Sequence, residues 1–392
     1  MPGNMERVLR LMAEKSASDV FMSATTPILI KINGQILHLS DEVLTPSHIR
    51  QLLGELLSPQ QLEELDETGE LNIGINLPRI GTFRLSAFKQ RGTIAAVFRC
   101  IPHVIPAFES LGLPALLSQL VLEKRGLILM VGATGTGKST TLASLLEKRN
   151  QQSTGHILTI EDPIEFLFTS KKSIVNQREV GRDTQTLQVA LKNALRQAPD
   201  AILIGEIRDR ETMTSAISYA LSGHVVLSTM HANNSHHALG RILSFYPPDV
   251  RPALLSDLSA ALRAIISQRL MRANAGGRIA ACEVLLNTKL IAELVERGDL
   301  SAIKEAMQNS LAEGSQTFEQ DLARLVGEGL VARDEALLYA DSPTNLLWRL
   351  QNDTTPVSRA VAKVDEPDTA TYTDFNIDVR PDEPRAPEAR PR

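Results

Sequence analysis

Cysteine is almost absent from this sequence. Cys100 and Cys282 stand 182 positions apart, which leaves no CxxC pair and no disulfide framework of the secreted kind. Both read as reduced thiols of a cytosolic protein. Aromatic residues make up 4%, and basic residues do not exceed acidic ones: 41 Lys+Arg stand against 46 Asp+Glu, a formal charge of −5. Such a chain has few stacking platforms and no general attraction for nucleic acid or anionic lipid, so no nucleic acid partner is expected. Any anion must be bound by local design. No run reaches the ~18 apolar residues that span a bilayer. Met1 to Val20 sets Glu6, Arg7, Arg10, Glu14 and Lys15 among its leucines, unlike the apolar core of a signal peptide.

What is there is ordinary in bulk. Hydrophobic residues at 43% and charged residues at 22% exclude wholesale disorder and a repeat fibre, and 392 residues suffice for two or three domains with cores of their own. Residues 351–392 differ from the rest. They hold nine acidic and six basic side chains, and so −3 of the total charge, together with six prolines and few large apolar groups. Burial cannot offset the ordering entropy of such a segment, and a disordered tail is expected.

Residues 5–15 have the spacing of an amphipathic helix, and Pro27 to Ser40 reads as a hairpin turning at Asn33-Gly34. A second hairpin is expected from Thr82–Phe88, with Phe83, Leu85 and Ala87 on one face, through Gln90-Arg91-Gly92 to the apolar run Ile94–Phe98. The first hundred residues are therefore α+β. Pro102, Pro106, Gly112 and Pro114 then punctuate the chain as a linker would. Beyond them, short apolar runs alternate with helical stretches, the pattern of a mainly parallel α/β sheet. Gly126–Val131, His156–Ile160, Ala201–Ile204 and His224–Leu227 are the strand candidates. From Ser256 onward the period of Leu258, Ala261, Leu262, Ile265 and Ile266 predicts helix throughout.

The decisive motif runs Gly132, Ala133, Thr134, Gly135, Thr136, Gly137, Lys138, Ser139, after an apolar strand and before a helix opening at Thr140. That is the context a phosphate-binding loop requires. Glycines let the backbone N–H groups turn inward around phosphates, and the helix N-terminus adds positive potential. Lys138 would reach the β- and γ-phosphates, and Ser139 would ligate magnesium.

The other candidate strands also end in polar signals, where ligands of open α/β sheets bind. Glu161-Asp162-Pro163-Ile164-Glu165 follows the second, Gly205-Glu206 the third, and Ser228-Thr229-Met230-His231 the fourth. A nucleoside triphosphatase needs carboxylates there, one supporting hydrated magnesium and one orienting the attacking water. Each also has a plain structural reading: a capped turn before Pro163 for Glu161 and Asp162, and a partner of Arg208 or Arg210 for Glu206. His231 with His236 and His237 suggests zinc, but a third strong ligand is missing; a γ-phosphate sensor fits better. Arg84 and Arg99 lie on hairpin strands among apolar neighbours, so each guanidinium must find an anion or emerge into solvent.

These boxes, in this order, resemble those of the type IV pilus and type II secretion ATPases. Ser18-Asp19-Val20, Asn176-Gln177-Arg178-Glu179-Val180 and His231-Ala232-Asn233-Asn234-Ser235 are similar to the retraction motors of the PilT/PilU type, the PilU type above all. The resemblance spans about residues 5–350. It implies a PAS-like N-terminal domain over 1–101, a linker at 102–113, a RecA-like ATPase domain with C-terminal helices over 114–350, and the tail 351–392.

It further implies ATP and Mg²⁺ as ligands, with Glu161 the catalytic glutamate, Glu165 its rival, and Glu206 the Walker B acid holding magnesium through water. His231 and His224 match the histidine box, and Arg84, Arg91 and Arg99 match arginines that reach the nucleotide from the N-domain. The implied assembly is a homo-hexamer at the cytoplasmic face of the inner membrane, with a pilus platform protein and the principal retraction ATPase as partners. Two departures sharpen this. Assembly motors of the family carry a larger N-terminal extension and a tetracysteine zinc insertion, and this chain shows neither. The principal retraction motor has an Ala-Ile-Arg-Asn-Leu-Ile-Arg-Glu-like helix where this chain reads Leu290-Ile-Ala-Glu-Leu-Val-Glu296-Arg297. An accessory retraction ATPase is expected, with a coupling ring or a DNA-translocating motor as alternatives.

Overall fold

The structure, a computed structural model, describes residues 3–15, 17–32, 35–78, 80–101, 104–310 and 312–352. They fall into two compact units that divide after residue 103.

The N-terminal unit runs α1 (Asn4–Glu14), β1 (Asp19–Met22), β2 (Leu29–Ile32), β3 (Gln35–His38), α2 (Pro46–Gly54), α3 (Pro59–Thr68), β4 (Glu70–Leu77), β5 (Gly81–Gln90) and β6 (Thr93–Ile101). Its sheet has the order β3-β2-β1-β6-β5-β4, and every neighbouring pair is antiparallel. Met5, Val8, Leu9 and Met12 of α1 recur at helical spacing and are buried in one core with Phe83, Leu85, Ala87 and Phe98. The expected alternation of β5 is therefore the one that faces the helices. The pairing of Ile32 with Gln35 makes β2 and β3 a hairpin; the expected turn, Asn33-Gly34, lies outside the described residues, as does most of the expected tail. β4, which the sequence reading did not single out, completes the sheet.

The second unit runs α4 (Leu116–Leu120), β7 (Gly126–Val131), α5 (Lys138–Gln152), β8 (Gly155–Glu161), β9 (Ser173–Glu179), α6 (Leu187–Ala194), β10 (Ala201–Glu206), α7 (Arg210–Leu221), β11 (Val225–Met230), α8 (Ser235–Ser244), α9 (Arg251–Ala261), β12 (Leu262–Arg272) and β13 (Arg278–Leu286). The helices α10 (Lys289–Arg297), α11 (Ser301–Gln308), α12 (Phe318–Gly327), α13 (Arg333–Tyr339) and α14 (Pro343–Asn352) follow. The sheet order is β13-β12-β7-β11-β10-β8-β9, parallel except for the β12–β13 pair. All six residues of β7 are buried, as a strand covered on both faces must be. Phe108 and Leu113, within the stretch expected as a linker, are buried in this unit's core with Leu117 and Leu142.

One expectation is corrected here. Residues 262–286 are not helical: they form the hairpin β12–β13, turning through Gly276 and Gly277 at φ 89° and 71°. β12 is buried on both faces, so its apolar residues run on without alternation, and that run satisfies a helical count as readily as a strand. The β-branched pair Ile265-Ile266 and the double glycine are the signals that favour strands. Among the described residues no helix is long and apolar enough to cross a membrane.

Candidate functional site

The loop between β7 and α5 owes its shape to glycine. Gly132, Gly135 and Gly137 take φ values of 153°, 81° and 87°, which side chains disfavour. At Gly132 a Cβ would lie 2.6 Å from Thr136 Oγ1 and 2.7 Å from the Gln268 carbonyl oxygen; at Gly137 it would lie 2.8 Å from Gln268 Nε2. The loop is thus pressed against β12, while Ala133, Thr134 and Gly135 face solvent. The N–H groups of the first turn of α5 have no partner within their own helix and carry the positive end of its dipole. This is an anion cradle, and its donor set fits the phosphates of a nucleotide.

Lys138 is buried at its base, donating from Nζ to the carbonyls of Gly132 (2.8 Å) and Ala133 (2.7 Å). Burial pulls its ammonium below the ordinary lysine range, and the charge of Glu206 opposes that pull. Ser139 is exposed at the first turn, beside Thr140, which is half-buried.

β11 lies next to β7, β10 next to β11, and β8 next to β10, all parallel. Their carboxyl ends therefore form one edge with the phosphate loop. At that edge the register of β10 slips between Ile204 and Glu206, a bulge at Gly205 that re-aims the following side chain. A Cβ at Gly205 would sit 3.3 Å from Glu161 Cα, so glycine lets β8 approach here. Thr229 and Ser228 donate hydroxyl bonds of 2.7 Å to the carbonyls of Gly205 and Ile204, fastening β11 to the bulge.

Glu206 emerges into this edge, with His231 Nε2 3.1 Å from one carboxylate oxygen and Arg208 2.6 Å from the other. The plain structural reading of Glu206 as a partner of Arg208 is what the geometry shows, and its charge also acts on the loop lysine. Asp162 adds to the negative field at Arg208. His236 turns away, placing Nδ1 3.1 Å from the Leu300 carbonyl.

Glu161, which ends β8, is 7% exposed. Burial pushes its carboxyl above the ordinary glutamate range, against hydrogen bonds that favour the ionised form. Those bonds include the Glu165 N–H and Gln177 Nε2, both at 3.4 Å. Glu165 itself is exposed. Gln177 also donates to the Phe166 carbonyl (2.8 Å) and accepts from the Phe168 N–H (2.8 Å), and Glu179 accepts from the Ile164 N–H (3.1 Å). β9 thereby shapes the acidic loop, a role an isolated amide gives no means of reading from sequence.

Within the chain, His224 lies apart from this edge. It precedes Val225, which pairs with Gly126 at the start of β7, and its Nδ1 lies 3.1 Å from the Tyr219 carbonyl. Six strand positions at ~3.3 Å separate that level from the phosphate loop, roughly 20 Å. Arg84, Arg91 and Arg99 belong to the N-terminal unit. Arg84 faces Arg99 across β5 and β6, and Arg99 donates from Nε to the buried Asp19 on β1 at 2.9 Å. Arg91 sits exposed in the β5–β6 turn at φ 47°.

Gln268 was missed because its segment reads as helix. On β12 it accepts from Thr141 Oγ1 (2.8 Å) and donates to the Thr136 carbonyl (2.8 Å), gripping the loop and the helix behind it.

Comparison with known proteins agrees with this geometry. The profile of the type II/IV secretion system protein family matches residues 7–313. The type IV pilus ATPase PilU of Pseudomonas aeruginosa is 46% identical over 342 residues, covering 87% of this chain and 90% of the relative. The type IV pilus retraction ATPase PilT of the same organism is 36% identical over 342 residues, covering 87% and 99%. A crystal structure of the pilus retraction motor PilT with bound ADP superposes with a TM-score of 0.82 at 38% identity, covering 89% of this chain and all of that one. The chain therefore belongs to the type II/IV secretion system protein family, among its type IV pilus ATPases.

Proposed function

We propose that the chain is a magnesium-dependent ATPase, converting ATP and water to ADP and phosphate, that powers or assists retraction of a type IV pilus as an accessory motor of the PilU type. The observation that carries the reading is Glu206, delivered by the Gly205 bulge to His231 at 3.1 Å and within the field of Lys138. A ring that merely bound nucleotide would have no need of that constellation.

In this reading the backbone N–H groups and hydroxyls of residues 132–140, with Lys138, hold the phosphates. Ser139 and, through water, Glu206 would hold Mg²⁺, which when bound neutralises charge on the β- and γ-phosphates. Glu161 accepts the proton of the attacking water, its raised pKa suiting a base; Glu165 is the rival for that role. His231 couples the γ-phosphate end of the site to Glu206. Arg84, Arg91 and Arg99 are the N-terminal unit's candidates for anion contact. A homo-hexamer at the cytoplasmic face of the inner membrane, working on the pilus platform protein beside the principal retraction ATPase, completes the proposal.

Phosphate release by the purified full chain tests the chemistry. Lys138→Ala and Glu206→Ala should each reduce magnesium-dependent turnover to background; undiminished turnover in Lys138→Ala refutes the reading. A second reading, a coupling ring whose own hydrolysis is dispensable, draws on the ion pair between Arg208 and Glu206, which occupies one of the two carboxylate oxygens.

A further inference from the structure

β12 touches both halves of the nucleotide site, one with each face. Side chains of a strand alternate, and Ala264, Ile266, Gln268 and Leu270 point to the side of α5, while Ile265, Ser267, Arg269 and Met271 point to the side of α8 and α12. Ser267 pairs with Val131, the last residue of β7, so Gln268 and Arg269 stand level with the beginning of the phosphate loop.

On the first face, Gln268 holds Thr136 and Thr141, and its backbone carbonyl closes the floor beneath Gly132. On the second face, Arg269 donates to the Asn233 carbonyl at 3.1 Å and forms an ion pair with Asp341, whose other carboxylate oxygen accepts from Asn234 Nδ2 at 2.8 Å. Arg269 also donates to the Tyr339 carbonyl and stacks over the Phe318 ring, its guanidinium carbon 3.8 Å from the ring centroid. Its neighbour Ser267 donates at 2.9 Å to the buried Glu283, which accepts the Ser235 N–H at 2.7 Å. Residues 233–235 are thus fixed at three successive positions, beginning two residues after His231 and running into the first residue of α8.

We infer that β12 is the bracket that sets the phosphate loop against the His231 loop, with Gln268 positioning the loop that holds the nucleotide and Arg269, through Asp341, positioning the histidine that faces Glu206. The inference rests on the hydrolytic reading above and goes beyond it, because neither residue touches the reacting atoms. It separates two effects that a merely structural strand would mix. Loosening Gln268 frees the cradle, where ground state and transition state are held alike, and so acts on KM. Loosening Arg269 frees His231, which acts only as charge develops on the γ-phosphate, and so lowers kcat.

Steady-state hydrolysis and binding of a fluorescent ADP analogue, measured on the full chain, test this. Gln268→Ala should raise KM for ATP and the analogue's Kd about tenfold or more while kcat stays within about threefold. Arg269→Ala should lower kcat about tenfold or more with KM and Kd nearly unchanged, and Arg269→Lys, which keeps a charge for Asp341, should recover much of the loss. Asp341→Asn, a milder change, carries the same prediction as Arg269→Ala should that variant fail to fold. Parallel changes in KM and kcat at both positions, or wild-type kinetics at either, overturn the bracket. A wild-type chain with no turnover would overturn the hydrolytic reading instead, and an active wild type with a dead Lys138→Ala keeps the two failures apart.

Discussion

Glu161 is the residue whose chemistry is most exposed to test. A carboxyl buried at the end of a strand prefers its neutral form, and its pKa is raised accordingly. A base must be ionised, so hydrolysis should fail as pH falls through that raised pKa, and the acidic limb of kcat/KM should lie above the ~4.3 of an ordinary glutamate. Glu161→Gln should cost on the order of 10²-fold or more in kcat and abolish this limb. Glu165→Gln, at an exposed position, should keep it. A pH–rate series on the two variants decides between them: if Glu165→Gln loses the limb and Glu161→Gln retains it, the roles are exchanged. At this scale the positions most legible in the sequence are those where residue type coincides with the end of a strand or the start of a helix, as at Glu206, His231 and Lys138. The least legible are Gln177 and Gln268, since an amide acquires meaning only from the groups it bridges. His224 shows how spacing along the chain misleads about distance. Seven residues separate it from His231, and in an extended strand that is about 23 Å, so two histidines that look paired in the sequence lie at opposite edges of the sheet.

At the scale of elements, the phosphate loop and β12 are one construction. Gly132 and Gly135 both have positive φ, yet only Gly132 is crowded: its Cβ would meet backbone of β12, where β12 is already paired to β7. Gly135 has nothing within 4 Å of that position. Gly135→Ala should therefore cost only its conformational strain, about 1–2 kcal/mol. Gly132→Ala adds a collision with a carbonyl that cannot rotate away, and should unfold at a lower temperature than Gly135→Ala and bind the ADP analogue more weakly. Thermal melts and binding titrations of the two variants check this, and equal melts would show that β12 yields at this point. The same pairing explains which elements the sequence disclosed. β7, β8, β10 and β11 are short apolar runs closed by polar signals, and each has a helix next to it in the chain. β12 and β13 are longer, sit at the end of the parallel set, and carry side chains committed to both faces, so their pattern has no period of two to read. β4 interrupts its alternation with Gly74 and two asparagines, a composition that reads as turn until β5 pairs with it along its whole length.

At the scale of the whole molecule, the charge balance acquires a use. A nearly neutral body with no basic excess leaves anion binding to local features such as the phosphate loop and Lys138, which suits a nucleotide site more than a surface that grips a polyanion. The residues of the proposed site are divided between the two units: the second carries the loop, both carboxylates and His231, and the first carries the candidate arginines Arg84, Arg91 and Arg99. Whether that site drives retraction directly or keeps a coupling ring in place is a question about the assembly, and a strain lacking this chain answers it. Such a strain, complemented with the wild-type chain, should regain pilus retraction under load. Complemented with Lys138→Ala, which removes the ammonium, it should not, if turnover in this subunit supplies force. Retraction restored by Lys138→Ala as well as by wild type would assign the chain a coupling role and leave the force to the partner ATPase. The comparison is sharp because Lys138 is buried at the loop base, where its ammonium donates to the carbonyls of Gly132 and Ala133, so its substitution strips no exposed surface that a partner would dock against.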